Sequence, residues 1–205
     1  MFASFIRLLF VLSAAFFLWL GSPAAIQAQT QTPPNPEEIG NIAREIEALD
    51  QMRSQLASTI EDMEGKPTMQ TMKEVCAPVG KRAKQLSQEN IWNVKQVADK
   101  YRNPNHAPAT PEAQEALDAF RQNPNLISYW QKEELHGEPG LRYYRRINVE
   151  PACLACHGDA ESRPDFVKKG YPEDLAFNFE VGDLRGMYAV FLPEDVQAGL
   201  QEAVK

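Results

Sequence analysis

The chain has 205 residues, with 21 basic and 28 acidic side chains and a formal net charge of −7. This length suits one domain with short appendages. The excess of acids argues against nucleic acid and acidic membrane surfaces as partners, since both are bound through clustered lysine and arginine.

The first 28 residues have the pattern of a secretory signal peptide. Arg7 supplies the positive charge, Leu8–Leu20 is an apolar run, and Ala28 ends a tract of small residues suited to cleavage. The run is shorter than the roughly 20 apolar residues of a membrane span. We therefore expect export without stable membrane insertion, with an uncleaved anchor as the alternative. Residues 29–36 would be a linker, and residues 37–205 one domain.

A long amphipathic helix is predicted at the start of this domain. Asn35 is suited to its N-cap and Pro36 to its first turn. Apolar residues then recur at steps of three and four from Ile39 to Met63, and Gly65 ends the pattern. This face would pack on its own domain, or alternatively form a homodimer seam, although Arg53 interrupts the heptad.

A second helix is predicted from Thr68 to Ser87. Pro78 lies inside it and removes one backbone hydrogen bond, so we expect a bend just past Cys76. The segment Ile91–Tyr101 is ambiguous, because its spacing suits a helix and its composition a strand. Thr110 is suited to capping a short helix that runs to about Arg121.

The rest of the chain favours strands. Ile127–Lys132 and Leu141–Val149 are predicted to form a hairpin around the turn residues Gly137–Gly140. Alternating apolar residues predict another strand over Leu175–Val181.

A turn at Gly182-Asp183 would lead into a returning strand, Arg185–Leu192, and a last helix would start at Pro193. Helices followed by strands indicate an α+β domain with an antiparallel sheet.

The most informative motif is Cys153–His157, which reads Cys-x-x-Cys-His, the attachment signature of a c-type haem. Two thiols at this spacing can bond the two vinyl groups of one porphyrin, and the histidine that follows can bind its iron. We therefore predict one covalent haem c, with Cys153 and Cys156 as attachment points and His157 as an iron ligand.

Two other interpretations of the motif are weaker. A thiol–disulfide pair would lie at a helix start after a strand, and a zinc site would need a second ligand pair. The chain offers only Cys76, His106 and His136 besides the motif.

Cys76 is the one cysteine left without a disulfide partner in the chain. In an oxidising compartment such a thiol is buried, paired between chains or bound to metal. His106 and His136 lie in loops and are by default solvated. Arg142 and Arg145 are candidates to pair with haem propionates, because arginine binds carboxylates through two parallel hydrogen bonds.

Five segments taken together resemble a family of exported c-type haem proteins with a PAS-like fold, first catalogued as a domain of unknown function and described in cyanobacteria with His/Cys iron ligation. They are Cys76-Ala77-Pro78, Tyr101–Asn105, Arg142–Ile147, Cys153–Gly158 and Val181–Gly186.

The resemblance covers about Glu37 to Leu192. It implies a PAS-like sheet of five antiparallel strands, part of Ile91–Tyr101 among them, and Cys76 as the thiolate on the second face of the haem. Its exported members also imply a periplasmic or thylakoid-lumen location.

Thiolate ligation lowers a haem potential, whereas methionine raises it. A His/Cys haem therefore favours a sensor of redox state or of a small gaseous ligand over a shuttle between ordinary carriers. No kinase or DNA-binding segment follows the sheet, so the signal would pass to a separate redox or signalling protein. The alternative is an electron-transfer cytochrome. An enzyme is not expected, because no distal acid–base pair is evident.

Overall fold

The computed structural model describes residues 35–194. The predicted signal peptide, nearly all of the linker and the predicted last helix beyond Glu194 lie outside these residues. No helix within the described range is both long and apolar enough to cross a membrane.

The predicted helices form, with two changes of boundary. The first, α1, spans Pro36–Ser58, and the Asn35 side chain accepts a hydrogen bond from the Glu37 amide. The helix ends at Ser58 and does not continue to Met63. At this end the Ser58 and Thr59 hydroxyls donate to the carbonyls of Gln55 and Leu56 in the last turn. The second breaks at Cys76, as predicted, into α2, Met69–Val75, and α3, Ala77–Glu89.

A shorter helix, α4, spans Pro111–Gln122 and is capped by Thr110 as predicted. The haem motif begins with a 3-10 turn, Pro151–Cys153, and continues in a single helical turn, α5, Leu154–His157. A further helix, α6, spans Asp165–Gly170.

The strands form one antiparallel sheet in the order β1-β4-β3-β2. They are β1, Asn93–Val97, β2, Ser128–Leu135, β3, Glu138–Asn148, and β4, Leu184–Pro193. The prediction of a strand within Ile91–Tyr101 is confirmed by β1. The α+β class is also confirmed.

The predicted count of five strands is wrong, because the described residues form four. Leu175–Val181 is not a strand: Asn178 has a positive φ of 55°, and the amides of Asn178 and Phe179 donate to carbonyls of the haem motif instead. A sequence alternation cannot show that a segment's amides are used elsewhere.

The β2–β3 turn was also predicted too far along the chain. It consists of His136 and Gly137, both with positive φ, which is the two-residue turn that matches strand twist. Pro139 and Gly140 therefore belong to β3.

The sheet separates two apolar cores. On one face α1 and α3 pack through Ile42, Ile46 and Leu86 against side chains of β1, β3 and β4. On the other face α4 packs through Leu117 and Phe120. The apolar face of α1 is thus used within its own domain, and a homodimer through this helix stays a prediction.

Candidate cofactor site

A cavity of about 190 Å³ opens at the end of the sheet, on the α1 side. The two predicted attachment cysteines, Cys153 and Cys156, and the two predicted iron ligands, His157 and Cys76, all line it. Its remaining wall is largely apolar and includes Ala57, Val75, Val79, Ala98, Ala152 and Ile147. Cavities of this kind, apolar with a few converging polar groups, are typical ligand sites.

Cys76 reaches the cavity because the helix breaks there. It is the C-cap of α2 and the N-cap of α3, so its side chain lies at a corner between two helices. The thiol keeps accessible surface on the cavity wall. Burial raises the pKa of Cys76, whereas the positive charges of Arg102, Arg185 and Arg53 oppose that increase.

The haem motif is held in place from both sides. The Glu150 carboxylate, three residues before Cys153, binds Arg53 at 2.6 Å and Ser54 at 2.8 Å, both on α1. On the other side, Arg102 donates to the Cys156 carbonyl at 2.9 Å. Burial raises the pKa of the Cys156 thiol to about 11.

His157 is oriented by a backbone carbonyl. Its Nδ1 lies 2.8 Å from the carbonyl oxygen of Ala176. A carbonyl only accepts, whereas the Arg102 guanidinium, 3.3 Å from the same nitrogen, only donates. The shorter contact to Ala176 favours the proton on Nδ1, which leaves the Nε2 lone pair for a metal. Iron-ligating histidines are commonly oriented this way. Burial, with help from Arg185 and Arg102, lowers the pKa of His157 well below its usual value, which also favours the neutral ring.

The segment that failed to form a strand therefore has a structural role at the site. Ala176 supplies the carbonyl that orients His157, and the Phe179 ring packs edge-on against the imidazole, with 6.2 Å between the two ring centroids. The position of this segment depends on Asp174, whose buried carboxylate binds Arg163 at 2.7 Å and Arg102 at 3.5 Å.

Arg142 and Arg145, the predicted propionate partners, do not line the cavity. Arg142 lies on the α4 face of the sheet and binds Glu133 at 3.1 Å. Arg145 lies on the α1 face and binds Glu47 and Asp50. Both guanidiniums are thus already paired with carboxylates of the protein.

Arg53 and Arg185 line the cavity instead, together with His106, which was expected to be a solvated loop residue. His136 is in the β2–β3 turn and does not line the cavity. No sequence pattern predicted that Arg53 or Asp174 would lie near the site. Arg102 and Arg185 could have been suspected, because both lie in segments that carry the family resemblance.

The residues present fit a haem iron in their chemistry. A neutral imidazole with its Nδ1–H fixed by a carbonyl and a cysteine thiol both line the cavity, and each is an established type of haem-iron ligand. Two further thiols beside the imidazole occupy the spacing of covalent attachment. The site thus defines the class: an α+β protein with a cysteine- and histidine-lined cofactor cavity.

Comparison with known proteins agrees with this class. The family model described as Tll0287-like matches residues 35–193, and the chain belongs to that family. A solved structure, described as the cyanobacterial heme-protein Tll0287, is 53% identical, covers 78% of this chain and 96% of its own, and has a TM-score of 0.70. No curated protein sequence matches the chain.

Proposed function

We propose that this chain binds one haem c in the cavity, attached through Cys153 and Cys156, with His157 and Cys76 as axial ligands, and acts as a redox or gas sensor. The observation that carries the proposal is the location of Cys76. It is distant from the motif in sequence, yet the break between α2 and α3 brings it to the same cavity. The relative described as a heme-protein supports the choice of cofactor.

The roles of the two axial residues follow from their surroundings. His157 can donate through Nε2 without rotating, because Ala176 holds its other nitrogen. Burial raises the pKa of the Cys76 thiol, but a metal ion deprotonates a coordinating thiol outright. The positive charges of Arg102, Arg185 and Arg53 also favour the thiolate.

The sensor assignment rests on the expected redox chemistry of this ligand pair. Haem supplies an iron that changes between two oxidation states, and thiolate ligation stabilises the more positive one. The resulting low potential makes the protein a poor acceptor from ordinary electron carriers. A thiol that takes up a proton on reduction would leave the iron and open a coordination position for a gas.

The experiment starts with the full chain co-expressed with a haem maturation system. The pigment should survive acid–acetone extraction, and paramagnetic resonance of the oxidised protein should show a low-spin thiolate signal. Cys76→Ser should remove that signal and let the reduced form bind carbon monoxide readily. Cys76→Met should raise the midpoint potential, within the span of about 0.8 V that axial ligands cover.

The matched control is Ala77→Ser, at the exposed neighbouring position, which should leave spectrum and potential as in the wild type. If Cys76→Ser also leaves both unchanged, Cys76 is not a ligand and the low-potential sensor loses its basis. A conventional electron-transfer cytochrome would then be the better account.

A further inference from the structure

The start of β4 contains an irregularity that changes where one arginine side chain lies. Ile147 pairs with Gly186, but the next residue, Asn148, pairs with Leu184, so Arg185 is left without a partner across the ladder. This is a β-bulge, a feature that often redirects a side chain next to a functional site.

The two sides of the sheet show the effect of the bulge. Side chains of a regular strand alternate between faces, so Arg185 should share the α4 face with Met187 and Ala189. Instead Leu184 packs into the α4-side core, and Arg185 lines the cavity together with Gly186.

Gly186 makes the bulge feasible. Its φ is +154°, and a Cβ there would lie 2.5 Å from the Val97 carbonyl oxygen and 2.9 Å from the Ala98 Cβ. The close approach of β1 and β4 therefore needs a residue without a side chain. This close approach places Arg185, the residue before Gly186, against the cavity.

Arg185 differs from the other arginines near the cavity in its partners. Arg53 binds the carboxylates of Asp50 and Glu150, and Arg102 shares Asp174 with Arg163. Within residues 35–194, Arg185 forms no ion pair with a carboxylate. It donates to the Lys100 carbonyl at 3.1 Å and lies over the Phe179 ring, with its guanidinium carbon 5.6 Å from the ring centre.

A guanidinium that is partly withdrawn from water without a directly bound carboxylate is costly. Burial and the nearby positive charge of Arg102 lower the pKa of Arg185 to about 10, although the more distant Asp174 carboxylate opposes this decrease. A carboxylate brought into the cavity by a ligand would supply the missing partner through two parallel hydrogen bonds.

We propose that Arg185, placed by the bulge, is the residue that binds a propionate carboxylate of the haem. This inference rests on the proposed function and assigns to Arg185 the role that charge alone suggested for Arg142 and Arg145. Its side chain is already held by Lys100 and Phe179, so little side-chain freedom remains to be lost on binding.

The test compares the haem-loaded wild-type chain with Arg185→Gln. Vibrational spectra should show the propionate carboxylate bands shifted in the variant, since these bands report hydrogen bonding of that group directly. The midpoint potential should also fall, because loss of a positive charge near the iron favours its oxidised state. Arg121→Gln, on the opposite side of the sheet, is the matched control and should change neither.

Arg185→Lys is the second variant, in case the glutamine variant does not fold. It keeps the charge and loses the paired donors. We expect its carboxylate bands to shift and its midpoint to fall less than in Arg185→Gln.

Arg185 could instead act on the Cys76 thiolate, and a double-variant cycle separates the two roles. In a Cys76→Ser background, a propionate partner still shifts both the bands and the midpoint when Arg185 is replaced. A shift that disappears in that background would overturn the proposal, as would unchanged carboxylate bands in haem-loaded Arg185→Gln. A wild-type chain that takes up no haem would instead refute the proposed function.

Discussion

Glu133 and its two partners show how a single residue can decide the role of its neighbours. The Glu133 side chain is 2% exposed, and its carboxylate accepts from Arg142 at 3.1 Å and from the Tyr144 hydroxyl at 2.5 Å. A carboxylate this deeply buried needs both partners. Arg142 is therefore committed to the sheet and is not free for a ligand.

This network predicts a pH dependence of stability. Burial, with the hydrogen bond to Glu133, raises the pKa of Tyr144 far above its usual value. Below pH ~10 the hydroxyl is protonated in both folded and unfolded chains, so its contribution is fully present. Above that pH only the unfolded chain loses the proton, and the free energy of unfolding should fall as pH rises.

Tyr144→Phe should cost about 1–3 kcal/mol at neutral pH, since Glu133 loses one buried partner. It should also make the alkaline decline shallower, because one of the contributing groups is gone; burial also raises the pKa values of Tyr188, Tyr143 and Tyr129, which keep the rest of the decline. Urea unfolding between pH 7 and 11 measures both effects. An equally steep decline in the variant would assign the pH dependence to other groups.

At the scale of elements, irregularities in helices and strands create the cavity. The break between α2 and α3 presents Cys76, the bulge in β4 presents Arg185, and the non-strand segment around Ala176 orients His157. In each case the chain departs from a regular element and gives up repeating hydrogen bonds. Such departures are concentrated at functional sites.

The bulge predicts a contrast between two glycines. Gly186→Ala should destabilise the fold by about 1–3 kcal/mol, since φ is strained for a side chain and the new methyl would overlap the Val97 carbonyl. Gly80→Ala, inside α3 with nothing within 4 Å of the added carbon, should stabilise by roughly 0.5–1 kcal/mol. Denaturant unfolding of both variants checks the pair. Equal effects would show that the close approach at Gly186 is relaxed in solution.

For the described domain as a whole, the two main cores are separate from the attachment residues. Neither the α1-side nor the α4-side core includes Cys153, Cys156 or His157. Part of the cavity wall, Ala57, Val75 and Ala152, forms a smaller cluster, and Val149, Ala176 and Phe179 beside the haem motif form another. Only the wall residues Val79 and Ile147 belong to the α1-side core. The sheet should therefore persist without a ligand, whereas the cavity end should loosen.

This separation predicts the behaviour of a chain that lacks the two proposed attachment thiols. Cys153→Ser with Cys156→Ser should keep the far-ultraviolet circular dichroism of the wild type, because both cores are intact. Its melting temperature should be lower by several degrees, since a ligand held only by the folded state stabilises that state. Hydrogen exchange should localise the loosening to residues 150–158 and 175–181. An unchanged melting temperature would contradict the prediction.

Local chemistry accounts for what could be predicted from the sequence. The caps at Asn35 and Thr110, the break after Cys76 and the spacing of Cys153 and Cys156 each depend on residues only a few positions apart. Hydrogen bonds and rotation limits at that range act in nearly the same way in any fold. The helices of the first half and a candidate cofactor motif could therefore be predicted from the sequence.

Contacts between distant segments settled the rest. Leu175–Val181 alternates like a strand, but the amides of Asn178 and Phe179 donate to the carbonyls of Gly158 and His157 at the end of the haem motif. The sequence alone cannot distinguish Arg142, Arg145 and Arg185. In the fold Arg142 is paired with Glu133, and Arg145 is paired with Glu47 and Asp50. The bulge in β4 instead directs Arg185 towards the cavity. Which charge remains unpaired depends on every carboxylate that packing brings near it, and that information exists only once the chain has folded.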